Sequence, residues 1–371
     1  MNGNSDKEKE AETPRPSKGG AAPFFSLIVS CCDVAQYLHE CLDSVLNQPF
    51  TDWECLGGVE ESKDKTLEIA REYEAKDSRF KVFFGPRTGS CSASRNTAID
   101  MATGEYIIFA DGDDSLAEGS LQRLHDKIAE RPGADLYPCA VKVHNDITGK
   151  DEPTRDNYRK DFNGELTGPE ATIHIVGVMK QVAPMMQLTI CRRQFLLDNK
   201  LKCIHGLRGQ DREFSPRALY MARRVVPTHE PFYLYRRREG AITISVRHAS
   251  QLQDQAIIHK SLLAFHAKIH GEAGFDERIS VGWSQSWLNW MFPLWFWPWR
   301  VSNIPRSVRY DTLRFLFSDG FDDFNLLLKH ASLTRRIAGW WFRLFVKRPR
   351  LQFASELFFR CYFRLSERRK G

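Results

Sequence analysis

The first 22 residues contain no apolar run; after Met1 they are built from Lys, Arg, Glu, Asp, Asn, Ser, Thr, Pro, Gly and Ala. A secretory leader needs an apolar core of about seven residues or more, so this stretch reads as a disordered tail. The most aromatic stretch, Met291 to Trp299, is short and broken by Pro293 and Pro298. That excludes a transmembrane helix there, which needs about 20 apolar residues. The nine cysteines are odd in number, and Cys31-Cys32 are adjacent. Their spacing fits neither a disulfide framework nor a zinc cluster, so they read as small buried residues in a reducing cytoplasm. No internal repeat and no nucleic-acid motif is present, and the chain before the basic tail is net acidic, so nucleic acid is not an expected partner.

What is present is a chain of alternating strand and helix signals. Phe24 to Ser30 reads as a strand, and Val34 to Asn47 carries apolar residues at helical spacing. Trp53 to Val59 reads as a second strand, Lys65 to Ala75 as a second helix and Phe80 to Phe84 as a third strand. Gly89 to Ala102 reads as small residues and then a helix, and a fourth strand follows. This alternation predicts an α/β fold with a mostly parallel sheet and helices on both faces. Ligands in such sheets bind beyond the carboxyl ends of the strands. Ala134 to Val143 reads as a fifth strand, the polar Thr148 to Leu166 as an irregular loop, and Gln187 to Lys200 as strand then helix. Arg192 and Arg193 in that last run are either solvated or face an anionic acceptor, and solvation is the expectation.

The fourth strand, Tyr106 to Ala110, ends in Asp111-Gly112-Asp113-Asp114. Three carboxylates at a strand end repel one another and lose hydration unless a cation joins them. A hard divalent cation, Mn²⁺ or Mg²⁺, is the natural partner and brings substrate phosphates with it; a solvated acidic turn is the plain alternative. The loops Ser30 to Asp33 and Glu60 to Ser62 sit at equivalent strand ends, so three loops converge on one edge. Ser30-Cys31-Cys32-Asp33 is not a Gly-rich phosphate loop, which argues against a nucleotidyltransferase.

From Phe24 to Ser245 the chain resembles the family-2 glycosyltransferases, which have the GT-A fold. The resemblance rests on the order of Tyr37 to Gln48, Ser92-Ala93-Ser94-Arg95-Asn96, Gly104 to Ile107 with the aspartates, Gln210-Asp211 before Glu213-Phe214, and Tyr233 to Thr243. It implies an Asp-x-Asp metal motif on Asp111 and Asp113 and a general base on Asp211. It further implies donor contacts from Ser30, Asp33, Glu60, Glu61, Arg95, Asp111, Arg236 and Arg238. The implied reaction is inverting transfer of a sugar from a nucleoside diphosphate sugar, with a UDP-sugar favoured, to a glycan or lipid-linked acceptor. The implied setting is surface polysaccharide synthesis. Arg236 to Arg238 read either as phosphate-facing or as a basic surface. Three positions depart from the family pattern: Glu60-Glu61 replaces an Asp pair, the aromatic neighbour of the base is missing near Cys31-Cys32, and Gln210 replaces an acid beside Asp211.

The last third changes character. Eight of the nine tryptophans lie beyond residue 280. From Arg335 onward there are 11 basic residues against Glu356 and Glu367, a net +9, whereas the whole chain is +6 and the part before it −3. Ile337, Trp340, Trp341, Leu344 and Phe345 recur at helical spacing, as do Leu357, Phe358, Tyr362 and Leu365. Basic, aromatic helices of this kind bind anionic membrane surfaces; the alternative is packing on the catalytic domain. The expected organisation is a tail over 1–22, a GT-A domain over 23–245 and a helical extension over 246–371. The expected location is the cytoplasm, peripherally on the inner face of the membrane. The alternative function is a non-catalytic relative that binds a nucleotide-sugar or a membrane.

Overall fold

The computed structural model of the chain describes residues 22–156, 158, 164–179, 185–239 and 249–285, with single positions between 315 and 348. They fall into two units. The first comprises the described residues of Met1–Glu165, Met185–Gly206 and Ala222–Ala241; the second comprises those of Leu166–Pro184, Leu207–Met221 and Ile242–Gly371.

In the first unit β1 (Phe25–Cys31), α1 (Ala35–Leu46), β2 (Trp53–Glu60), α2 (Thr66–Lys76), β3 (Phe80–Gly85), α3 (Ser92–Met101) and β4 (Tyr106–Asp111) follow in turn. Every residue of β1 and β2 is buried, as the unbroken apolar runs of a doubly covered parallel sheet require. On α1 the buried residues are Leu38, Cys41, Leu42 and Val45, the stripe that the periodicity predicts. After β4 come β5 (Ser115–Leu116), α4 (Ser120–Glu130), β6 (Leu136–Pro138), β7 (Ala140–Asn145) and β8 (Lys150–Arg155). Then, past a helix of the second unit, α5 (Gly168–His174), come β9 (Thr189–Arg192) and α6 (Arg193–Asp198).

The main sheet has the order β3-β2-β1-β4-β9-β6, parallel except that β9 runs against both of its neighbours. A second sheet, β5-β10-β7-β8, is closed around β10 (Pro231–Arg237), which lies parallel to β7 and antiparallel to β5. Two local readings change here. The run Ala134 to Val143 is two strands in two sheets, split at Cys139. The polar stretch after Thr148 contains β8, an exposed edge strand whose Lys150, Asp151 and Glu152 suit an edge that must not template further pairing.

A buried carboxylate ties the amino ends of these strands together. Glu54 of β2 accepts from Ser26 Oγ at 2.7 Å, from Thr103 N and Oγ1 at 2.7 Å each, and from Lys81 Nζ at 2.6 Å. Burial pushes its carboxyl up, but Lys81, Thr103 and Ser26 outweigh that and hold it below the ordinary glutamate range. Gly104 sits against this cluster; a Cβ there would meet Ser26 N and Oγ at 2.7 Å, so the close approach requires glycine. Glu54→Ala is expected to destabilise the fold by about 3 kcal/mol at neutral pH, since it strands one partner of a buried pair. A depressed carboxylate contributes fully above the ordinary pKa of about 4.3, and that contribution fades as pH falls through the lower folded value. The gap between variant and parent in denaturant titrations should therefore shrink at pH 3; an equal gap at pH 7 and pH 3 would mean that the carboxylate charge is not what stabilises.

In the second unit, α5 begins at a reciprocal capping box between Thr167 and Glu170. Helix α7 (Asp211–Met221) packs against α5 and α8 (Ala249–His270). Glu213, almost wholly buried, accepts from Arg217 Nε at 2.7 Å, from Arg217 Nη2 at 2.7 Å and from Ser261 Oγ at 2.7 Å, which locks α7 to α8. Among the described residues no helix is long and apolar enough to cross a membrane. The Met291 to Trp299 cluster and most of the basic tail lie outside the described residues.

Candidate active site

Strand β4 delivers Asp111 to the carboxyl edge of the main sheet, opposite Ser30 of β1 in the parallel register. Gly112 follows with its N–H on Ser30 O at 2.9 Å. A Cβ on Gly112 would meet Val34 Cγ2 at 3.0 Å and Cys31 Sγ at 3.2 Å. The glycine thus lets the acidic loop fold tightly over the end of β1.

Each carboxylate of the loop has its own partners. Asp111 Oδ1 accepts from Nη2 of the fully buried Arg95 at 2.5 Å, and Oδ2 accepts from Gln187 Nε2 at 2.7 Å. Asp113 Oδ2 accepts from Arg238 Nε at 2.9 Å and pairs with its Nη2 at 2.9 Å. Asp114 is buried; its oxygens accept from Tyr233 Oη at 2.6 Å and Arg236 N at 2.7 Å. Tyr233 Oη also accepts from Asp111 N at 3.0 Å, so one phenol fastens both ends of the loop to β10. Burial, then the charge of Asp111, push the Asp113 carboxyl up, against the pull of Arg238. Burial and the charges of Asp111 and Asp113 push Asp114 well above the usual carboxylate range. These upward shifts mark a site where negative charge is concentrated and short of counter-charge.

That donor set suits a hard divalent cation held through two carboxylates, Asp111 and Asp113, and completed by the phosphate oxygens of a ligand, the usual mode for Mg²⁺. Among the described residues no group of three or more His, Cys, Asp or Glu side chains is arranged to enclose a cation without such help.

The arginines of β10 differ in their partners. Arg236 donates from Nε to Asp113 O at 3.1 Å, from Nη1 to Asp146 at 2.9 Å and from Nη2 to Glu40 at 2.5 Å. Arg237 pairs with Glu152 at 2.5 Å. Arg236 and Arg238 both lie over the Tyr37 ring, at 5.2 Å and 5.0 Å from its centroid. A cavity of about 660 Å³ adjoins Arg236 and Ser115, with Glu40, Lys142, His144 and Asp151 in its walls.

The other converging loops are stitched to one another. Asp33 adopts a positive φ of 51°. Its Oδ1 accepts from Lys63 N at 2.6 Å, and its Oδ2 pairs with Arg87 at 2.7 Å. The hydrogen bond from Arg87 holds the Asp33 carboxyl below the ordinary range. Glu60 is buried, and its oxygens accept from Thr88 N at 3.0 Å and Thr88 Oγ1 at 2.7 Å. Glu61 is exposed. Ser30 Oγ is buried with no hydrogen-bond partner among the described residues. Arg192 forms an ion pair with the buried Asp135 and stays partly exposed, so its guanidinium is engaged in holding the fold.

The first unit therefore gathers Ser30, Asp33, Glu60, Glu61, Arg95, Asp111, Asp113, Arg236 and Arg238 around the ends of β1, β2 and β4 and along β10. Asp211 belongs to the second unit, as the first residue of α7 behind Gly209, which has a φ of 70°. A carboxylate in the first turn of a helix complements the macrodipole. Gln187 and Tyr233, which grip the acidic loop, carry no sequence signal as site residues. Their roles depend on strand pairing across 76 and 122 residues.

Residues 26–183 match the family model described as "Glycosyl transferase family 2". The chain is 30% identical over 223 residues to the uncharacterized glycosyltransferase EpsJ of Bacillus subtilis, covering 60% of this chain and 63% of that one. It is 28% identical over 243 residues to the cholesterol galactosyltransferase of Borreliella burgdorferi, covering 61% and 64%. The chain thus spans less than two thirds of the length of either relative. Residues 1–349 of S. aureus TarS in complex with UDP-GlcNAc superpose with a TM-score of 0.67 at 20% identity, covering 87% of this chain and 88% of that one. A further crystal structure of the same TarS segment gives a TM-score of 0.66 at 19% identity, with 87% of each chain covered. This likeness shows the fold: the mostly parallel sheet with helices on both faces is of the GT-A type.

Proposed function

From the match of residues 26–183 to the family-2 glycosyltransferases we propose that the protein is a member of that family and moves a sugar from a nucleoside diphosphate sugar to an acceptor hydroxyl with inversion at the anomeric carbon. The observation that carries the reading is the acidic loop at the end of β4, where Asp111, Asp113 and Asp114 face Arg95, Arg238 and Tyr233. Carboxylates that repel one another beside fixed guanidinium groups suit a diphosphate that arrives with a divalent cation.

Asp111 and Asp113 would hold Mn²⁺ or Mg²⁺, which when bound neutralises charge on the departing diphosphate. Arg238, and Arg236 through its contact with the loop, orient that end of the site. Asp211 accepts the proton of the acceptor hydroxyl as its oxygen attacks the anomeric carbon. The new C–O bond forms as the bond to the diphosphate oxygen breaks, and the electron pair leaves with the nucleoside diphosphate. A UDP-sugar is the favoured donor, in keeping with the UDP-GlcNAc held by TarS. The cavity beside Arg236, with charged groups of both signs in its walls, suits a hydroxylated acceptor such as a glycan, and the setting proposed is surface polysaccharide synthesis. The engagement of both motif carboxylates by arginines also fits a relative that binds nucleotide-sugars without transferring them. Incubation with UDP-, GDP- and dTDP-sugars in Mn²⁺, followed by assays of binding and of nucleoside diphosphate release, separates the two. Binding without release supports the second reading, and neither binding nor release ends both.

The same proposal places the protein at an anionic membrane surface through its basic tail. Leu333, Ile337 and Trp340 are 70%, 46% and 58% exposed, at the spacing of one helical face. An exposed apolar stripe that begins at Leu333 and runs into the net +9 segment from Arg335 suits a lipid interface. Deleting Arg335 to Gly371 is expected to abolish sedimentation with anionic vesicles, and 0.5 M salt, at a Debye length of about 4–5 Å, to weaken it in the full chain. Full-length protein that ignores anionic vesicles at low salt would assign the stripe to packing instead.

A further inference from the structure

Gln187 lies in the short 3₁₀ turn Met186–Leu188 that leads into β9. Strand β9 runs antiparallel to β4 with Ile107 opposite Cys191, and continuing that register four residues brings Gln187 opposite Asp111. Its side chain meets the expectation: Nε2 donates to Asp111 Oδ2 at 2.7 Å. The amide nitrogen must face the carboxylate, because two oxygens set against each other would repel. That fixes where the other end of the amide stands. Gln187 is 7% exposed, and its Oε1 is buried with no hydrogen-bond partner among the described residues.

A buried acceptor left without a donor costs free energy and calls for an explanation. Arg95 already satisfies Asp111 from the other side, so the position of Gln187 is not needed to neutralise that carboxylate. An amide, unlike a carboxylate or an ammonium, brings no charge to the site. It can hold the aspartate with one end and offer a neutral acceptor with the other. The ligand groups that complement such an acceptor are hydroxyl or N–H donors, and the diphosphate of a nucleotide-sugar has neither. Its sugar has several; the ribose and uracil carry donors too, but UDP shares those, so comparing UDP with UDP-sugar separates them.

We infer that Gln187 is a specificity-determining residue that positions Asp111 through Nε2 and accepts, at Oε1, a hydrogen bond from a hydroxyl or amide N–H of the donor sugar. This rests on the reading of the protein as a user of nucleotide-sugars. The contribution of one neutral hydrogen bond predicts an effect of about three- to tenfold in affinity, confined to the sugar half of the ligand.

The test is calorimetry in Mn²⁺ with UDP, UDP-GlcNAc, UDP-glucose and UDP-galactose on the parent and on Gln187→Met, which keeps length and volume but has no acceptor at that atom. The affinity gained by the best UDP-sugar over UDP should fall about three- to tenfold in the variant, over and above any loss that UDP itself shows through Asp111. A loss that is equal for UDP and for UDP-sugar overturns the assignment, because Gln187 would then act only through Asp111. Should the variant fold poorly, the parent alone still decides: among the 3-, 4- and 6-deoxy forms and the 2-amide-altered form of that UDP-sugar, one should bind more weakly by a similar factor. Uniform affinity across the series overturns the assignment too. In a variant that folds, the same penalty should vanish, since two changes on one hydrogen bond do not add. Parent protein that binds neither UDP nor any of the three UDP-sugars overturns the UDP-sugar reading itself and this inference with it; binding of the parent with no sugar-specific term overturns only the inference.

Discussion

Asp211→Asn should depress sugar transfer by about 10²- to 10⁴-fold, the usual contribution of a general base, while leaving nucleotide binding close to that of the parent. The side chain stands at the start of α7, whose next turn is anchored by the buried Glu213–Arg217 pair and Ser261. Its helix is therefore held independently of Asp211, and the amide is expected to fold in place. An amide accepts hydrogen bonds, but at neutral pH it cannot take a proton from an alcohol as the C–O bond forms. The loss should appear in single-turnover transfer, with little change in the affinity for UDP measured on the same preparation. Transfer at the parent rate would move the base elsewhere, and Glu213 is a poor substitute, since both of its oxygens are bound by Arg217.

Asp113→Asn should act on the other half of the chemistry, and its sign depends on the metal. Changes to second-shell partners alone cost about 10- to 100-fold in metal affinity, so removing a direct carboxylate should cost at least about 100-fold in metal-dependent nucleotide binding. Without metal the same change should not weaken UDP binding. It takes one negative charge from beside the diphosphate and releases Arg238, which is now held at 2.9 Å by Asp113. Calorimetry in chelator and in Mn²⁺ gives the four numbers needed. Parent protein that binds UDP equally in both media would remove the metal from the proposed function, and a variant that gains from Mn²⁺ as the parent does would remove Asp113 from the metal site.

Both experiments bear on residues legible in the sequence, for a physical reason. Apolar runs, helical spacing and turn residues act over a few positions. They mark β1 to β4 and α1 to α3, and they place the acidic ends of those strands on one edge. That argument reaches Asp111 and Asp113 as acids at a strand end; their reading as a metal motif, and that of Asp211 as a base, comes from the resemblance to the family. Local signals also fail in a definable way. Strand β8 is polar because it is an edge, so its sequence resembles a loop. The single apolar run from Ala134 to Val143 serves two sheets because its halves find different partners, β9 for Leu136–Pro138 and β10 for Ala140–Asn145.

What each acidic side chain is bonded to is likewise decided by the fold. Glu60 was legible as an acid at a strand end, but only the return of Thr88 after β3 gives its carboxylate two donors within the protein. Asp114 is next to the motif in sequence, yet its partners Tyr233 and Arg236 come from a strand that arrives 119 and 122 residues later; burial and the charges of Asp111 and Asp113 raise its pKa against the hydrogen bonds those two donate. Gln187 has no motif at all and reaches Asp111 through the antiparallel register of β9 with β4. The sequence by itself determined the element types, the carboxyl edge and the charges gathered there, because those follow from periodicity and connection. Which charges are spent on holding loops and which remain for a ligand was decided by strand order, because hydrogen bonds to a carboxylate are made by whichever segments the sheet brings alongside it.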